Sequence, residues 1–386
     1  MLWTQFAPYH VDRIEAVALQ LQGRAEVIAV EVATTSDTYQ WEPSSGIAGA
    51  AKLTLFPNRN YDRISALRRW WAQFGALWRC QMVLIGVGYN KPDIIALSWM
   101  LRLCGVQVVM MTDSKFDDRR RSVFREALKA ALLTCYSAAL VAGMRQIEYV
   151  RFLGFKRRQV LPGYDTVAIE RIRQQAGSEA RPGHEARDFV FVGRFVPKKN
   201  LMTMLDGYAA YAARAGSSAR RLRLVGSGPL EAELRSRCAA LGVDQRVIFT
   251  GFLDAPQIAA TLASALALIL VSSEEQWGLV VNEALALGLP IVTSTAVGSR
   301  DSLVRNLRNG FIVEPGSVEG IAAALEALAS DPQLWAAMCR HSQDRAWLAD
   351  SGRFADAVEL LFDPGSEVVA ARHERFMAEL RSSSLT

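Results

Sequence analysis

Arg194 and Lys199 stand five positions apart in the stretch GRFVPKKN, directly after the apolar run DFVFV. Gly193 closes that run and lets the backbone turn tightly. A guanidinium offers a planar donor fork to phosphate oxygens and an ammonium offers a compact point charge, so the pair suits a diphosphate held without a metal. A solvated basic loop satisfies the same letters, and Lys198 is assigned to that reading. A second cluster lies at 272–290, SSEEQWGLVVNEALALGLP. Glu275 precedes the helical run LVVNEALA, Glu283 lies inside it and Gly278 stands between them. Carboxylates suit the vicinal hydroxyls of a sugar or ribose. The backbone N–H groups of Trp277, Gly278 and Leu279 fall where a helix start would face an anion. Two ordinary acids, one before a helix and one on its face, are the plainer alternative. Gly226, in LVGSGP, ends another apolar run and exposes backbone to an anion or a base edge. A bare strand-to-helix turn reads the same way.

All of these residues follow apolar runs, and those runs alternate with helical ones. In the second half DFVFVG, RRLRLVGSG, RVIFTG, LALILVS, PIVTST and GFIVEP read as strands. In the first half LWTQF, AEVIAVEV, CQMVLIGVG, VQVVMMT and AALVAG do. A long helix is predicted from about Ser122 to Ala139. Near-continuous apolar strands separated by helices predict parallel sheets covered on both faces. The fold class is therefore α/β, with two doubly wound domains facing each other across a cleft. Such sheets bind ligands at the carboxyl ends of their strands. The polar run QQAGSEARPGHEARD reads as the linker. Domains are predicted at 1–173 and 188–349, followed by a helical segment at 350–386 whose tail frays after Arg381.

The chain has 386 residues, 51% of them hydrophobic and 22% charged, a globular composition with room for two cores. No apolar stretch reaches the ~18 to 20 residues of a membrane span, and the first residues show no basic region leading into a long apolar one. Five scattered cysteines, with no C-x-x-C pair, predict core thiols in a reducing cytoplasm. A net charge of +5 suits an anionic ligand or an anionic membrane face and is too diffuse for nucleic acid. The helix SALRRWWAQFGALWRC and the run KRR at 156–158 mix arginine with tryptophan. That pattern fits a helix lying on anionic lipid, or equally a core helix with its arginines turned to solvent.

GRFVPKKN, LRLVGSGPLEAELR, the run from VIFTGFLDAPQ through TAVGS, and NGFIVEPGSVEGIAAAL appear in this order over about 188–330. Together they resemble the donor-binding domain of retaining nucleotide-sugar glycosyltransferases of family four, the group 1 glycosyl transferases with the GT-B fold of two Rossmann-like domains. The resemblance implies that Arg194 and Lys199 hold the donor diphosphate, that Glu283 takes the ribose hydroxyls and that Glu275 contacts the transferred sugar. It places backbone amides near Gly278 and Leu279 on phosphate and sugar, and Phe252 and the segment after Gly226 around the base. It implies transfer to a hydroxyl acceptor (a glycan, a lipid-linked molecule or a small molecule) in glycoconjugate or polysaccharide synthesis. It further implies a same-face mechanism in which the leaving phosphate takes the acceptor proton. No cofactor is implied beyond the nucleotide diphosphate sugar itself, and no D-x-D motif calls for a metal. The final helix is implied to cross back to the first domain.

The first half departs from that family. Its first loop, FAPYHVDRIEAV, has no glycine pair, and its middle loop, MMTDSKFDDRRRS, offers Asp113 where the family carries histidine. LPGYDTVAIERI, at 161–172, does resemble the family's segment leading into the second domain. Read from the residues alone, His10 follows the first strand and can reach a donor sugar or an acceptor, or serve as a structural histidine near a helix start. Asp113 can orient an acceptor hydroxyl or take its proton, or cap a turn. Tyr9, Asp117 and Arg121 are further candidates for acceptor contact. The rival readings are an epimerase on the same fold and a non-catalytic sugar-nucleotide sensor. A nicotinamide oxidoreductase lacks its G-x-G-x-x-G strand–helix signature. The localisation predicted is cytoplasmic, with peripheral contact at the inner membrane face as a candidate addition.

Overall fold

A computed structural model describes residues 1–37, 46–118, 121–178 and 180–384. Arg119 and Arg120 of the middle loop, Glu179 of the linker and the last two residues of the tail lie outside them. The chain divides into two compact units, one of residues 1–168 with 351–379, the other of 169–350 with 380–386.

Among the described residues the first unit holds seven strands: β1 (Leu2–Trp3), β2 (Ile28–Thr35), β3 (Ala51–Asn60), β4 (Met82–Ile85), β5 (Gln107–Thr112), β6 (Ala138–Val141) and β7 (Gln159–Pro162). Their order is β3-β2-β1-β4-β5-β6-β7, all parallel. Helices Pro8–Gln20 and Gly352–Phe362 pack together on one face, where Gln20 donates to Glu359 (2.7 Å) and Asp356 (3.1 Å). The other face carries a core that includes Leu77, Leu97, Leu101, Leu133, Ile147 and Val150, under helices Ala66–Leu77, Pro92–Leu103 and Met144–Phe152. Arg13, fully buried, pairs with Asp165 at 3.1 Å and lies over the ring of Tyr164. This ties the first helix to the YD pair of the segment at 161–172.

The second unit holds β8 (Phe189–Val192), β9 (Leu222–Val225), β10 (Val247–Gly251), β11 (Ala267–Leu270), β12 (Ile291–Ser294) and β13 (Gly310–Val313). The order is β10-β9-β8-β11-β12-β13, again all parallel. β8 and β11 are buried along nearly their whole length, as strands covered on both faces must be.

Several expectations are corrected. β3 and β7 were not anticipated. Both are sheet edges, where one side meets solvent, apolar runs break up and a proline such as Pro57 or Pro162 is tolerated. The long helix ends at Leu132, because Leu133–Cys135 forms one tight turn before β6 begins at Ala138. Helix Ile169–Gln175 belongs to the second unit, with Arg173 donating to the Ala286 carbonyl at 2.9 Å. The last helix runs to Ser384 rather than fraying after Arg381, and Arg305 donates to Ser382 beyond that point. Among the five free thiols, Cys104 is exposed, not a core residue.

Candidate active site

The second sheet reverses its strand order between β8 and β11. At such a reversal the two outgoing loops part to opposite faces and leave a crevice at the carboxyl ends. β8 runs into GRFVPKKN and β11 into SSEEQWG, so the two charged clusters, 76 residues apart at Lys199 and Glu275, emerge side by side from paired strands.

Lys199 donates from Nζ to the Glu275 carboxylate, and Ser272 Oγ donates to the same oxygen at 3.4 Å. Both members of the pair are nearly enclosed, with side chains 14% and 12% exposed. The Arg194 side chain is exposed and among the described residues has no hydrogen-bond or ion-pair partner. The site thus combines a cation already balanced by an acid with one that is not. Lys198 points to solvent, and its carbonyl accepts from the Ser273 N–H at 2.9 Å.

Asn200 is a residue that sequence reasoning missed. Its backbone is left-handed, with φ +57°, and its side-chain amide donates to the carbonyls of Val271 (3.0 Å) and Pro315 (2.6 Å). It thereby fixes the loop after β8 to the strand ends on its other side. The signal was an Asn directly before a helix, a position where a short polar side chain competes well for backbone groups.

Two glycines are required by close approach. A Cβ on Gly226, at φ +125°, would sit 2.1 Å from the Gly193 carbonyl oxygen. The turns after β8 and β9 are held together there, with Phe195 N–H donating to Ser227 O at 2.9 Å. A Cβ on Gly278, at φ +93°, would sit 2.8 Å from Leu270. Trp277 beside it is buried, with Nε1 donating to Asn282 at 2.9 Å, so its ring serves packing and only its backbone can serve a ligand. Leu279 caps helix Val280–Ala286, whose first turn carries the half-buried Glu283. Phe252 follows β10 and is 76% exposed, an unusual exposure for a phenylalanine at a strand's carboxyl end.

The first unit's candidates sit differently. His10 lies in the first turn of helix Pro8–Gln20, where its Nδ1 accepts from the Ala7 N–H at 3.1 Å and its ring stacks on Trp3. Burial, with Arg13 nearby, holds its pKa well below the usual histidine value, so the ring is neutral at pH 7. Tyr9 packs edge-on against it. Asp113 follows β5, is half-buried, and accepts from Gln146 through its carbonyl at 3.3 Å. β4 separates the strands that lead to His10 and Asp113. Asp117 is ion-paired with Lys115 (3.1 Å) and Arg145 (3.2 Å). Burial would raise its pKa, but these cations outweigh that and hold it below the ordinary value. Arg121 donates to Tyr149 at 2.8 Å and to the carbonyls of Phe116 and Lys115. Asp117 and Arg121 are thus engaged in structural contacts.

Residues 173–345 match the family model described as "Glycosyl transferases group 1". The chain is 33% identical over 201 residues to D-inositol 3-phosphate glycosyltransferase of Rhodococcus jostii, covering 49% of this chain and 44% of that protein. It is 28% identical to 2-deoxystreptamine glucosyltransferase of Streptomyces kanamyceticus, covering 60% and 57%. The chain therefore spans about half the length of these curated relatives. Among solved structures, Anabaena Alr3699/HepE in complex with UDP aligns at a TM-score of 0.69 and 17% identity, over 94% of this chain and 98% of that one. The fold is GT-B.

Proposed function

We propose, on the match of residues 173–345 to the model of the glycosyl transferases group 1, that the chain moves a sugar from a nucleoside diphosphate sugar to a hydroxyl acceptor, with retention at the anomeric carbon. The observation that carries this reading is the enclosed Lys199–Glu275 pair at the β8/β11 reversal, with the exposed Arg194, which has no side-chain partner among the described residues, on the same loop as Lys199. A diphosphate there meets Arg194 and the ammonium of Lys199, whose charge Glu275 offsets in part, together with the backbone N–H groups at the start of helix Val280–Ala286. Glu275 faces the hydroxyls of the sugar, and Glu283 takes the ribose. Phe252 and the turn at Gly226 frame the base.

As the bond between the anomeric carbon and the diphosphate oxygen breaks, the electron pair goes to the phosphate. Arg194, Lys199 and the backbone N–H groups around Gly278 stabilise that charge more than they stabilise the bound donor. The acceptor oxygen then bonds to the anomeric carbon on the same face, and its proton passes to the leaving phosphate. His10, held neutral with its Nδ1 already accepting from the Ala7 N–H, is suited to donate a hydrogen bond through Nε2 rather than to carry charge. Asp113 is suited to orient the acceptor hydroxyl. The acceptor is a glycan, a lipid-linked molecule or a small molecule met in the cytoplasm. The solved relative with UDP and the relatives named for glycosyl transfer support this reading.

The test is turnover. A nucleoside diphosphate sugar should release its nucleoside diphosphate at a rate that rises steeply when a hydroxyl acceptor is supplied. Conversion of the donor to its epimer with no acceptor present would assign the same site to an isomerase instead.

A further inference from the structure

Helix Val123–Leu132 is built inside out. Phe124, Leu128 and Leu132, spaced four apart on one stripe, are 87%, 62% and 38% exposed. Its polar side turns inward. Glu126 is buried, accepts from the Tyr149 hydroxyl at 2.7 Å and pairs with Lys129 at 3.3 Å and Arg121 at 3.5 Å. A helix on a water-soluble core would place these groups the other way round.

The stripe is not isolated. Helices Ala66–Leu77 and Pro92–Leu103, over the core to which Tyr149 belongs, leave Trp71 61% and Leu103 77% exposed. Twelve of the 17 exposed large apolar side chains among the described residues fall between Leu67 and Phe152. Charge concentrates in the same stretch. Residues 66–158 contain 16 Lys and Arg against 6 Asp and Glu, a net of +10 in a chain whose total is +5. Arg68, Arg102 and Arg125 are exposed among the apolar groups, and Arg79 lies over the Trp78 ring at 4.5 Å. None of the described helices is long and apolar enough to cross a membrane.

We propose that this helix layer, led by Val123–Leu132, docks on an anionic lipid surface, with Phe124, Leu128 and Leu132 entering the boundary between headgroups and acyl chains while Arg68, Arg102 and Arg125 meet the lipid phosphates. Interfacial helices take an apolar face into that boundary and a basic flank to the headgroups. A nucleic-acid surface would match the charge but leave the Phe–Leu–Leu stripe in water. This inference concerns the first unit and does not rest on the transferase reading.

Co-sedimentation of the full chain with vesicles tests it, using phosphatidylcholine alone or mixed with phosphatidylglycerol. The parent should bind the anionic vesicles, less so in about 0.5 M salt, where charges are screened within a few ångströms. The double variant F124S/L128S should bind at least about tenfold more weakly, since two apolar side chains leave the interface. R68E/R102E should lose the preference for anionic lipid. Both variants should melt where the parent does, because the altered side chains are exposed. Nucleotide-sugar binding, read separately, should be unchanged in both, so loss of lipid binding is distinguishable from failure of the transferase reading. A parent that ignores anionic vesicles overturns the proposal, and so does F124S/L128S binding like the parent. It is equally overturned if the parent is a dimer that F124S/L128S makes monomeric, or if the face prefers an RNA oligonucleotide to vesicles.

Discussion

Lys199 and Glu275 form a nearly enclosed ion pair between the loops that leave the adjacent parallel strands β8 and β11. The pair joins the cationic and acidic halves of the candidate site and leaves Arg194 as the neighbouring cation without a side-chain partner among the described residues.

That arrangement separates two kinds of ligand contact. Lys199→Ala should weaken a nucleoside diphosphate and its sugar conjugate alike, by about 10- to 100-fold, the equivalent of about 1.5–3 kcal/mol for a hydrogen bond to a charged group. Glu275→Ala removes the acid that competes for Lys199, so the bare nucleoside diphosphate should bind no worse while the sugar conjugate loses affinity. Glu283→Ala should weaken both. Calorimetric titration of the three variants with both ligands distinguishes these patterns.

Gly226→Ala should unsettle the site through its backbone, in the absence of any ligand. The new Cβ would meet the Gly193 carbonyl at 2.1 Å, on a backbone at φ +125° that side chains rarely adopt. Forcing the two turns apart should cost at least about 2 kcal/mol. The measurement is the midpoint of urea unfolding. An unchanged midpoint would mean that the turns are not held as tightly as their hydrogen bonds indicate.

How much of this was readable in the letters depends on burial. β8, β9 and β11 are central strands, and their unbroken apolar runs announced themselves together with the charged residues that follow. β3 and β7 are edges, where exposure dilutes the apolar signal, and both escaped notice. The second unit's site was legible because its residues lie within a few positions of strand ends. Asn200 was not, because its partners Val271 and Pro315 are brought to it only by sheet order. The helix at 123–132 showed a period, but only the structure reveals that the apolar side faces outward, since a period carries no direction.

Acid should weaken the first unit over a defined window. Burial is the main cause that pushes His373 down to about 4, with Arg353 adding to it and Asp356 opposing. The folded form therefore binds its proton later than the unfolded chain, whose histidine titrates near 6.5. The corresponding stability is full above about pH 6.5 and is lost as pH falls toward about 4, by an amount of order 3 kcal/mol. His10 shifts in the same direction. His373→Leu should flatten the dependence of unfolding free energy on pH across that window. A parent and variant that lose stability in parallel from pH 7 to pH 4 would show that His373 is not the group responsible.

Breaking the inward polar cluster should be costly as well. Glu126→Ala leaves Lys129 and Arg121 beside Tyr149 without their carboxylate, and losing one partner of a buried pair costs about 3–5 kcal/mol. Thermal unfolding at pH 7 should show a clear drop, in contrast to the exposed F124S/L128S change. Equal melting temperatures for Glu126→Ala and the parent would mean that the helix is not anchored through its polar side.

The central claim, that Arg194 and Lys199 grip a donor diphosphate, is tested most directly by thermal shift with a panel of nucleoside diphosphate sugars on the parent and on Arg194→Ala. Ligand at 100 times its dissociation constant should add about 2.7 kcal/mol of stability. The account predicts that at least one member of the panel raises the parent's melting temperature and that Arg194→Ala loses that rise. An equal rise in both proteins, or none for any nucleoside diphosphate sugar, would contradict it.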